Sequence, residues 1–276
     1  MKAEAIAARV WPGRVLQIER LGGGITNHNF LVDCESERFV LRIAGTNTEL
    51  LGIDRNAEHA AAVSVADLGV GPEVVDFVEG SLVTRFVEGQ PVPVEEMRRP
   101  EVLRETADLL RRVHDGPAFP ARFDAFRVVE AYHDTAAAHG VRVPDAYRKA
   151  KAKADRIEQE LGHRAEHPCH NDLLNANFIR SPDGIRIVDW EYAGIGDRFF
   201  DLANFSVNHE LPEEQSDVLL GAYFGELRDQ DREHLRAMRF MSDFREAMWG
   251  VVQQGISDLD FDFENYANRH FERALA

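Results

Sequence analysis

The chain has 276 residues, of which 44% are hydrophobic and 29% charged, a composition typical of a globular protein with one large domain or two lobes. Its 32 basic and 48 acidic residues give a net charge of −16, which argues against nucleic acid or anionic membrane as a partner. The charge would favour a cationic small molecule, although solubility is the simpler explanation for it. The N-terminus lacks an apolar signal core, and the only cysteines are Cys34 and Cys169. We therefore expect a cytoplasmic protein without membrane insertion.

The first part of the chain alternates between short apolar runs and polar breaks, as expected for β-strands. After an N-terminal helix, the predicted elements are three strands within 13–45, a helix at 54–68, and a strand pair at 73–80 and 81–89. Gly69 is expected to end the helix. The Gly-Gln-Pro-Val-Pro stretch that follows the strands predicts a boundary between an N-terminal lobe of residues 1–88 and a C-terminal lobe of residues 89–276.

The second part of the chain predicts mainly helices. Helical periodicity covers residues 100–114, 128–138, 145–161 and 238–255. A hairpin that turns at Pro182-Asp-Gly interrupts the helices, and an acidic, aromatic tail follows the last clear one. The sequence therefore predicts an α+β fold with a small β-rich N-terminal lobe and a larger, mainly helical C-terminal lobe.

The segment HPCHNDLLNANFI, residues 167–179, concentrates polar side chains between apolar runs. Its His170, Asp172 and Asn177 have the H-x-D-x-x-x-x-N spacing of a kinase-type catalytic loop, and Asp189 ends a following apolar strand. Phosphoryl transfer requires an Asp that accepts the hydrogen bond of the acceptor hydroxyl, and oxygen ligands that hold Mg²⁺ against the phosphates. The combined pattern therefore predicts a phosphotransferase.

A zinc site is an alternative interpretation of the same segment. His167, Cys169 and His170 are residue types that bind zinc. A fourth ligand at suitable spacing is missing from the sequence, so we favour phosphoryl transfer over zinc binding.

The N-terminal part contains groups suited to phosphates. Gly22, Gly23 and Gly24 lie between two predicted strands, where backbone N–H groups can approach a phosphate, although a simple hairpin turn would use them equally well. The chain has no P-loop motif. Because no lysine occurs between residues 2 and 149, Arg42 is the candidate for binding the phosphates, with Glu58 on the next helix as its partner.

Several of these stretches together resemble the choline/ethanolamine kinases, within the wider aminoglycoside-phosphotransferase-like kinases. The resemblance runs from about residue 20 to the C-terminus and rests on GGGITNHNFLV, FVLRIAG, IDRNAEH, LGVGPEVVDF, HNDLLNANFI, IVDWEYAGIGDRFFDLANF and MWGVVQQGISDLDFDFENYANRHF. It implies a two-lobed, protein-kinase-like fold that binds ATP between the lobes. It also implies ATP and Mg²⁺ as cofactors and a small cationic alcohol as substrate, with choline or ethanolamine first.

The resemblance also implies roles for individual residues. These are Asp172 and His170 in catalysis, Gly23, Gly24, Thr26, Asn27, Arg42, Glu58, Phe86 and Val87 in nucleotide binding, Asn177 and Asp189 in metal binding, Glu191 in binding the substrate or a metal, and Trp249 in substrate binding. Glu246 is predicted to bind the substrate from its position on the same helical face as Trp249. His170 is expected to act by holding the loop together. Asp197 and Asp201 are expected to bond the loop backbone and not a ligand.

The residues expected to contact the substrate depart from the family pattern. An aromatic face such as that of Trp249 suits a trimethylammonium group, although core packing is an equally good role for this residue. Where a second Trp is expected, this chain has Glu246, three residues earlier and on the same helical face. A carboxylate suits an ammonium group that donates hydrogen bonds, which argues against choline.

Two rival functions remain open. The first is a kinase of the same fold that acts on an aminoglycoside, a thiamine-like molecule or another small alcohol, because one fold serves many substrates. The second is a pseudokinase that binds nucleotide without turnover. The presence of Asp172, Asn177 and Asp189 together favours an enzyme over such a binding protein.

Overall fold

The computed structural model describes residues 2–22 and 27–276. Its N-terminal region is rich in β-strands and its C-terminal region is largely helical, which confirms the predicted fold class. The strands are β1 (Leu16–Leu21), β2 (Asn27–Cys34), β3 (Glu37–Ala44), β4 (Val74–Val78), β5 (Ser81–Arg85), β6 (Gln90–Pro91), β7 (His167–Cys169), β8 (Phe178–Ser181), β9 (Gly184–Ile187) and β10 (Gly194–Gly196). The helices are α1 (Lys2–Val10), α2 (Arg55–Asp67), α3 (Val94–Met97), α4 (Pro100–His114), α5 (Ala125–Ala138), α6 (Ala146–Leu161), α7 (Arg198–Asn208), α8 (Glu213–Phe224), α9 (Asp229–Ile256) and α10 (Phe263–Leu275).

The N-terminal sheet has five strands in the order β1-β2-β3-β5-β4, and every neighbouring pair is antiparallel. Alternate residues of the central strands face α1, so that Val32, Leu41 and Val83 are completely buried against Ile6 and Ala7. This small core supports β3, the strand that carries Arg42. The predicted lobe boundary at residue 88 follows the last strand of this sheet and stays a prediction.

Helix α2 begins and ends as the sequence predicts. The Asp54 carboxylate accepts hydrogen bonds from the backbone N–H groups of Asn56 (2.8 Å) and Ala57 (3.2 Å), which caps the first turn. Gly69 lies just beyond the last turn with a left-handed φ of 65°. The helix therefore holds Glu58 in its first turn, facing β3.

Helix α9 is the centre of the C-terminal region. It has 28 residues and packs against α5, α7 and α10. Phe244, Met248 and Val251 are completely buried along it. At Gly250 a Cβ atom would lie 3.0 Å from the Tyr266 ring and 3.2 Å from the Cβ of Ala267, so a larger residue would require α10 to shift by a few tenths of an ångström. The middle of α9, around residues 245–249, thereby lies inside the fold.

Two predictions about the end of the chain were wrong. Helix α9 begins at Asp229, nine residues before the predicted start at residue 238, and the tail after it forms the helix α10. Asp262 caps α10 by accepting from the N–H of Asn265 at 2.9 Å. The many acidic residues near its start hid its apolar face, which Phe263 and Phe271 bury. In the described part of the chain, helices of sufficient length carry too many charges to cross a lipid bilayer.

Candidate active site

The segment at 170–177 is a loop whose backbone is held by side chains from α7. The Asp201 carboxylate accepts hydrogen bonds from the N–H groups of His170 (2.8 Å) and Asn171 (2.7 Å), and Asn204 accepts from Leu173 N–H at 2.6 Å. Asn171 has a left-handed φ of 69°, a conformation that asparagine tolerates better than most residues. Asp201 therefore bonds the loop backbone, as expected from the sequence.

His170 is completely buried and bonds only to the backbone. Its Nδ1 accepts from the N–H of Asp172 at 3.2 Å, and its Nε2–H donates to the carbonyl of Val188 at 3.0 Å. Burial lowers the pKa of His170, which keeps the ring neutral in this role. His170 therefore ties the loop to the end of β9. This placement corrects its grouping with the catalytic residues and agrees with the loop-holding role.

The alternative zinc site is not assembled. The rings of His167 and His170 both bond to backbone carbonyls, of His114 and Val188 respectively. In the described residues, the ligand atoms that lie within 4.8 Å of one another belong instead to His114, Cys169 and Asp201. Burial raises the pKa of the Cys169 thiol well above its ordinary value, and Asp201 is committed to the loop backbone. This cluster therefore supports the loop through hydrogen bonds.

Asp172 lies beside a buried arginine that the sequence analysis did not single out. Arg245 of α9 places its Nη1 3.4 Å from Oδ1 of Asp172, and its Nη2 donates to the carbonyl of Asn171 at 3.3 Å. Arg245 also forms an ion pair with its neighbour Glu246. A charged pair between the apolar residues of α9 was the sequence signal for this contact, because charges in a buried helix need partners.

Burial raises the pKa of Asp172 to about 7. Arg245 opposes the rise, whereas the carboxylates of Glu246 and Asp189 add to it. A carboxylate with a pKa near neutrality takes up a proton more readily than an ordinary Asp. Asp172 is therefore suited to accept a proton from an alcohol.

We expect the Asp172→Asn variant to be more stable than the wild type at pH 8. Above pH 7 the folded protein contains a buried carboxylate that the unfolded chain would leave in water, and removing it should raise the free energy of unfolding by on the order of 2 kcal/mol. The gain should shrink as the pH falls from 7 towards 4, because the folded wild type then binds the proton. Urea unfolding of both proteins at pH 8 and pH 5 measures the difference. Equal stability of both proteins at pH 8 would contradict the assigned pKa.

Asn177 joins the loop to Asp189. Its side-chain Nδ2 donates to the backbone carbonyl of Asp172 at 2.9 Å, and its backbone carbonyl accepts from the N–H of Val188 at 2.9 Å. Asp189 follows directly with a left-handed φ of 69°, which is uncommon for a residue other than glycine. Because the amide nitrogen of Asn177 is committed, its amide oxygen is left as an acceptor, on a residue whose backbone bonds to the neighbour of Asp189. These oxygens are the donor types that Mg²⁺ prefers.

Arg42 on β3 bridges the two regions of the chain. It donates to Oε1 of Glu58 at 3.0 Å, which confirms the predicted pair, and it forms a second ion pair with Asp189. Burial by itself would lower the pKa of Arg42, but Asp189 and Glu58 outweigh it and raise the pKa. The guanidinium therefore stays charged beside the cleft.

A second arginine, Arg55 in α2, is a further residue that the sequence analysis missed. It donates to Oε2 of Glu58 (2.7 Å), to Oε2 of Glu191 (3.1 Å) and to Oδ1 of Asn27 (2.8 Å). Asn27 also donates to Glu191 at 2.8 Å, and burial raises the pKa of Glu191 to about 7. Glu191, predicted to bind substrate, thus has partners from β2 and α2. These contacts tie the start of β2 to the C-terminal region.

A cavity of about 440 Å³ lies between the sheet and the C-terminal region. Its lining includes Val40, Arg42, Phe86, Val87, Ile179 and Asp189. The backbone N–H of Phe86 already donates to the carbonyl of Arg38 at 2.9 Å. An adenine base at this edge would therefore have to bond to the neighbouring backbone groups. Of the predicted glycine-rich segment, Gly23, Gly24 and Thr26 lie outside the described residues.

Glu246 and Trp249 lie together on α9, as the helical spacing predicts. Glu246 accepts from the hydroxyl of Tyr266 at 2.7 Å and pairs with Arg245. The Trp249 ring lies 5.6 Å from that of Tyr266, and its Nε1 donates to the hydroxyl of Tyr192 at 3.2 Å. Both side chains are buried, so Glu246 has an internal cation that the sequence analysis did not anticipate.

Comparison with known proteins gives a consistent result. The family described as choline/ethanolamine kinase matches residues 18–212. Ethanolamine kinase 2 of Mus musculus is 26% identical over 95% of this chain and 76% of its own length. A choline/ethanolamine kinase family protein from Mesorhizobium loti superposes with a TM-score of 0.83 at 30% identity, covering 99% of this chain and 93% of that one.

A third relative extends the likeness in fold. The choline kinase LicA from Streptococcus pneumoniae superposes with a TM-score of 0.82 at 24% identity, covering 99% of this chain and 96% of that one. Its identity is low enough that the likeness concerns the fold alone. The family match covers well over half of the chain and includes the loop with Asp172 and Asn177, as well as Asp189. The protein therefore belongs to the choline/ethanolamine kinase family and is a small-molecule kinase.

Proposed function

We propose that this kinase uses ATP and Mg²⁺ to phosphorylate the hydroxyl of a small cationic amino alcohol, with choline or ethanolamine as the first candidates. The observation that carries the proposal is the bonding of Asn177. One residue contacts the backbone of Asp172 through its side chain and the backbone of Val188, next to Asp189, through its carbonyl. These bonds fix the backbone positions of the proposed proton acceptor, Asp172, and of the two proposed metal ligands, Asn177 and Asp189, relative to one another. Phosphoryl transfer requires such positioning.

The cavity of about 440 Å³ is the proposed ATP site. Val40 and Ile179 provide apolar surface for the adenine, and the backbone near Phe86 and Val87 lies at the same edge. Arg42 would bind the phosphates in the bidentate manner open to a guanidinium, and its charge is supported by Glu58. The glycine-rich segment would cover the phosphates from above, as the family resemblance implies.

Asn177 and Asp189 are the proposed holders of Mg²⁺. Their amide and carboxylate oxygens fit a hard cation, whereas the hydrogen bonds of Glu191 to Asn27 and Arg55 support a structural role for Glu191. Mg²⁺ would neutralise charge on the phosphates when it is bound.

Two buried free thiols, Cys34 and Cys169, agree with a reducing cytoplasm, where ATP is available.

Asp172 is the proposed proton acceptor. Its carboxylate would orient the acceptor hydroxyl and accept its hydrogen bond as the oxygen attacks phosphorus. His170 holds the backbone N–H of Asp172, and the Arg245 guanidinium lies 3.4 Å from one of its oxygens, so that the carboxylate has charged support. The chain itself therefore contributes orientation and electrostatic support.

The proposal predicts that ethanolamine or choline stimulates ATP consumption by about tenfold or more over the rate without acceptor. The measurement is coupled ADP release at pH 8 with a panel that also contains an aminoglycoside and a thiamine-like alcohol. EDTA in excess over Mg²⁺ should abolish the stimulation, because Asn177 and Asp189 then lack the ion that orients the phosphates. Stimulation by an aminoglycoside alone would identify the sibling kinase. Binding of ATP without stimulation by any acceptor would identify a pseudokinase.

A further inference from the structure

The surroundings of Arg245 form a complete site for a cation. Its guanidinium carbon lies 4.6 Å from the centre of the Tyr192 ring and 5.9 Å from that of Phe123, and its nitrogens contact Asp172 and Glu246. Two carboxylates and an aromatic face are the groups that bind an ammonium ion in proteins. An internal side chain, with 2% of its surface exposed, thus fills a position chemically equivalent to that of a cationic substrate.

The ammonium group of a two-carbon amino alcohol would lie at a similar distance from Asp172. The acceptor hydroxyl has to lie within hydrogen-bond reach of Asp172, at about 2.5 to 3.0 Å. Bond lengths place the nitrogen of such an alcohol at most about 4 Å from its hydroxyl oxygen. Arg245 Nη1 lies 3.4 Å from the Asp172 carboxylate, within the same range of distances as the substrate nitrogen would.

We propose that Arg245 is a specificity-determining residue, which admits an ammonium group with N–H donors and disfavours a trimethylated one. This inference rests on the proposed function, because it concerns the acceptor of that reaction. A primary ammonium can donate hydrogen bonds to Glu246 and Asp172 while it shares them with Arg245. A trimethylammonium group has no donor and needs an open aromatic face, and Arg245 already covers the face of Tyr192.

The ion pair with Glu246 holds Arg245 near the two carboxylates, but its other polar contacts are weak enough for the guanidinium to shift. Its contacts with Asp172 and with the carbonyl of Asn171 are long, at 3.4 and 3.3 Å, and its buried Nε is without a hydrogen-bond partner in the described residues. A primary ammonium would therefore compete for these two long contacts, while the ion pair of Arg245 with Glu246 stays in place. A trimethylammonium group would have to displace the guanidinium, and it has no N–H group with which to share the two carboxylates.

The test uses the series ethanolamine, N-methylethanolamine, N,N-dimethylethanolamine and choline with the full-length enzyme and MgATP. In the wild type, kcat/KM is expected to fall by about tenfold or more from ethanolamine to choline. In Arg245→Met, which keeps the length of the side chain but removes the charge, the choline-to-ethanolamine ratio should rise by about tenfold. This ratio is measured within one preparation, so a partly unfolded sample leaves it unchanged. Arg245→Gln replaces the Met variant if that one does not fold.

Two controls separate specificity from structure. Arg236→Met makes the same substitution on an exposed turn of α9, where Arg236 pairs with Glu213, and should leave the ratio at the wild-type value. Arg245→Lys retains a positive charge and should still discriminate against choline. A wild type that prefers choline, or an Arg245→Met variant with an unchanged ratio, would overturn the inference.

A binding experiment tests the role of Arg245 independently of the proposed reaction. Calorimetry with tetramethylammonium and methylammonium requires no turnover. Arg245→Met should bind tetramethylammonium about tenfold more tightly than the wild type does, with little change for methylammonium. If no acceptor is phosphorylated but this shift is seen, the proposed reaction fails and the cation site stands. If turnover is normal but tetramethylammonium affinity is unchanged, the role of Arg245 fails alone.

Discussion

Asp172→Asn is expected to lower kcat by roughly 10²- to 10⁴-fold, the range found when a positioned proton acceptor is removed. Asparagine fills the same space beside Arg245 and keeps an oxygen for the hydroxyl, but it cannot take up the proton. The affinity for MgATP should be unchanged, because the cavity lined by Val40 and Ile179 is not altered. Steady-state kinetics with ethanolamine and calorimetry with a non-hydrolysable ATP analogue measure the two quantities.

The matched control for this variant is Asp183→Asn. Asp183 lies at the exposed turn between β8 and β9, so the same change of charge should leave kcat at the wild-type value. An Asp172→Asn enzyme with nearly normal kcat would remove Asp172 from its proposed role. Loss of nucleotide binding together with kcat would instead show that the substitution damaged the fold of the loop.

Asp189→Asn is expected to have the second large effect. Removing the carboxylate should raise the Mg²⁺ concentration needed for half-maximal rate and lower kcat by on the order of 10²-fold. Arg42 would also lose one of its two ion-pair partners and be left with Glu58 alone. Rates measured over a range of Mg²⁺ concentrations at fixed ATP would separate the metal effect from a general loss of activity.

The control for this second variant is Asp260→Asn, because Asp260 is an exposed acid in the connection between α9 and α10. Its Mg²⁺ dependence should match that of the wild type. A wild-type Mg²⁺ dependence in Asp189→Asn would place the metal elsewhere. The left-handed backbone at Asp189 favours asparagine as the replacement, since asparagine adopts that conformation more readily than other residues.

The parts of the site that could be predicted from sequence are those fixed by local spacing. Asp172 and Asn177 share one short loop. Asp189 lies just after β9, which the turn between β8 and β9 directs back to that loop. Arg42 and Glu58 were also found, because each lies on an element whose type was clear from its pattern. Local chemistry and regular periodicity were sufficient for these residues.

The residues that were missed depend on contacts between distant segments. Arg245 is 73 residues from Asp172 in the chain, and Arg55 is 136 residues from Glu191. Nothing in the spacing of α9 or α2 indicates which element will pack against it. The helix α10 was missed for a related reason, since the contacts that stabilise it come mainly from α9. Such partners follow from tertiary packing and not from any motif.

The double ion pair of Arg42 neutralises two acidic residues beside the cleft. Asp189 and Glu58 would repel each other across an unfilled cleft, but a permanently charged side chain from the sheet already compensates both. Under the proposed function, Asp189 would hold Mg²⁺ and Arg42 would hold the phosphates once the nucleotide binds, so new partners would replace the ion pair between them. The resting protein thus keeps its acidic residues in working position without storing electrostatic strain.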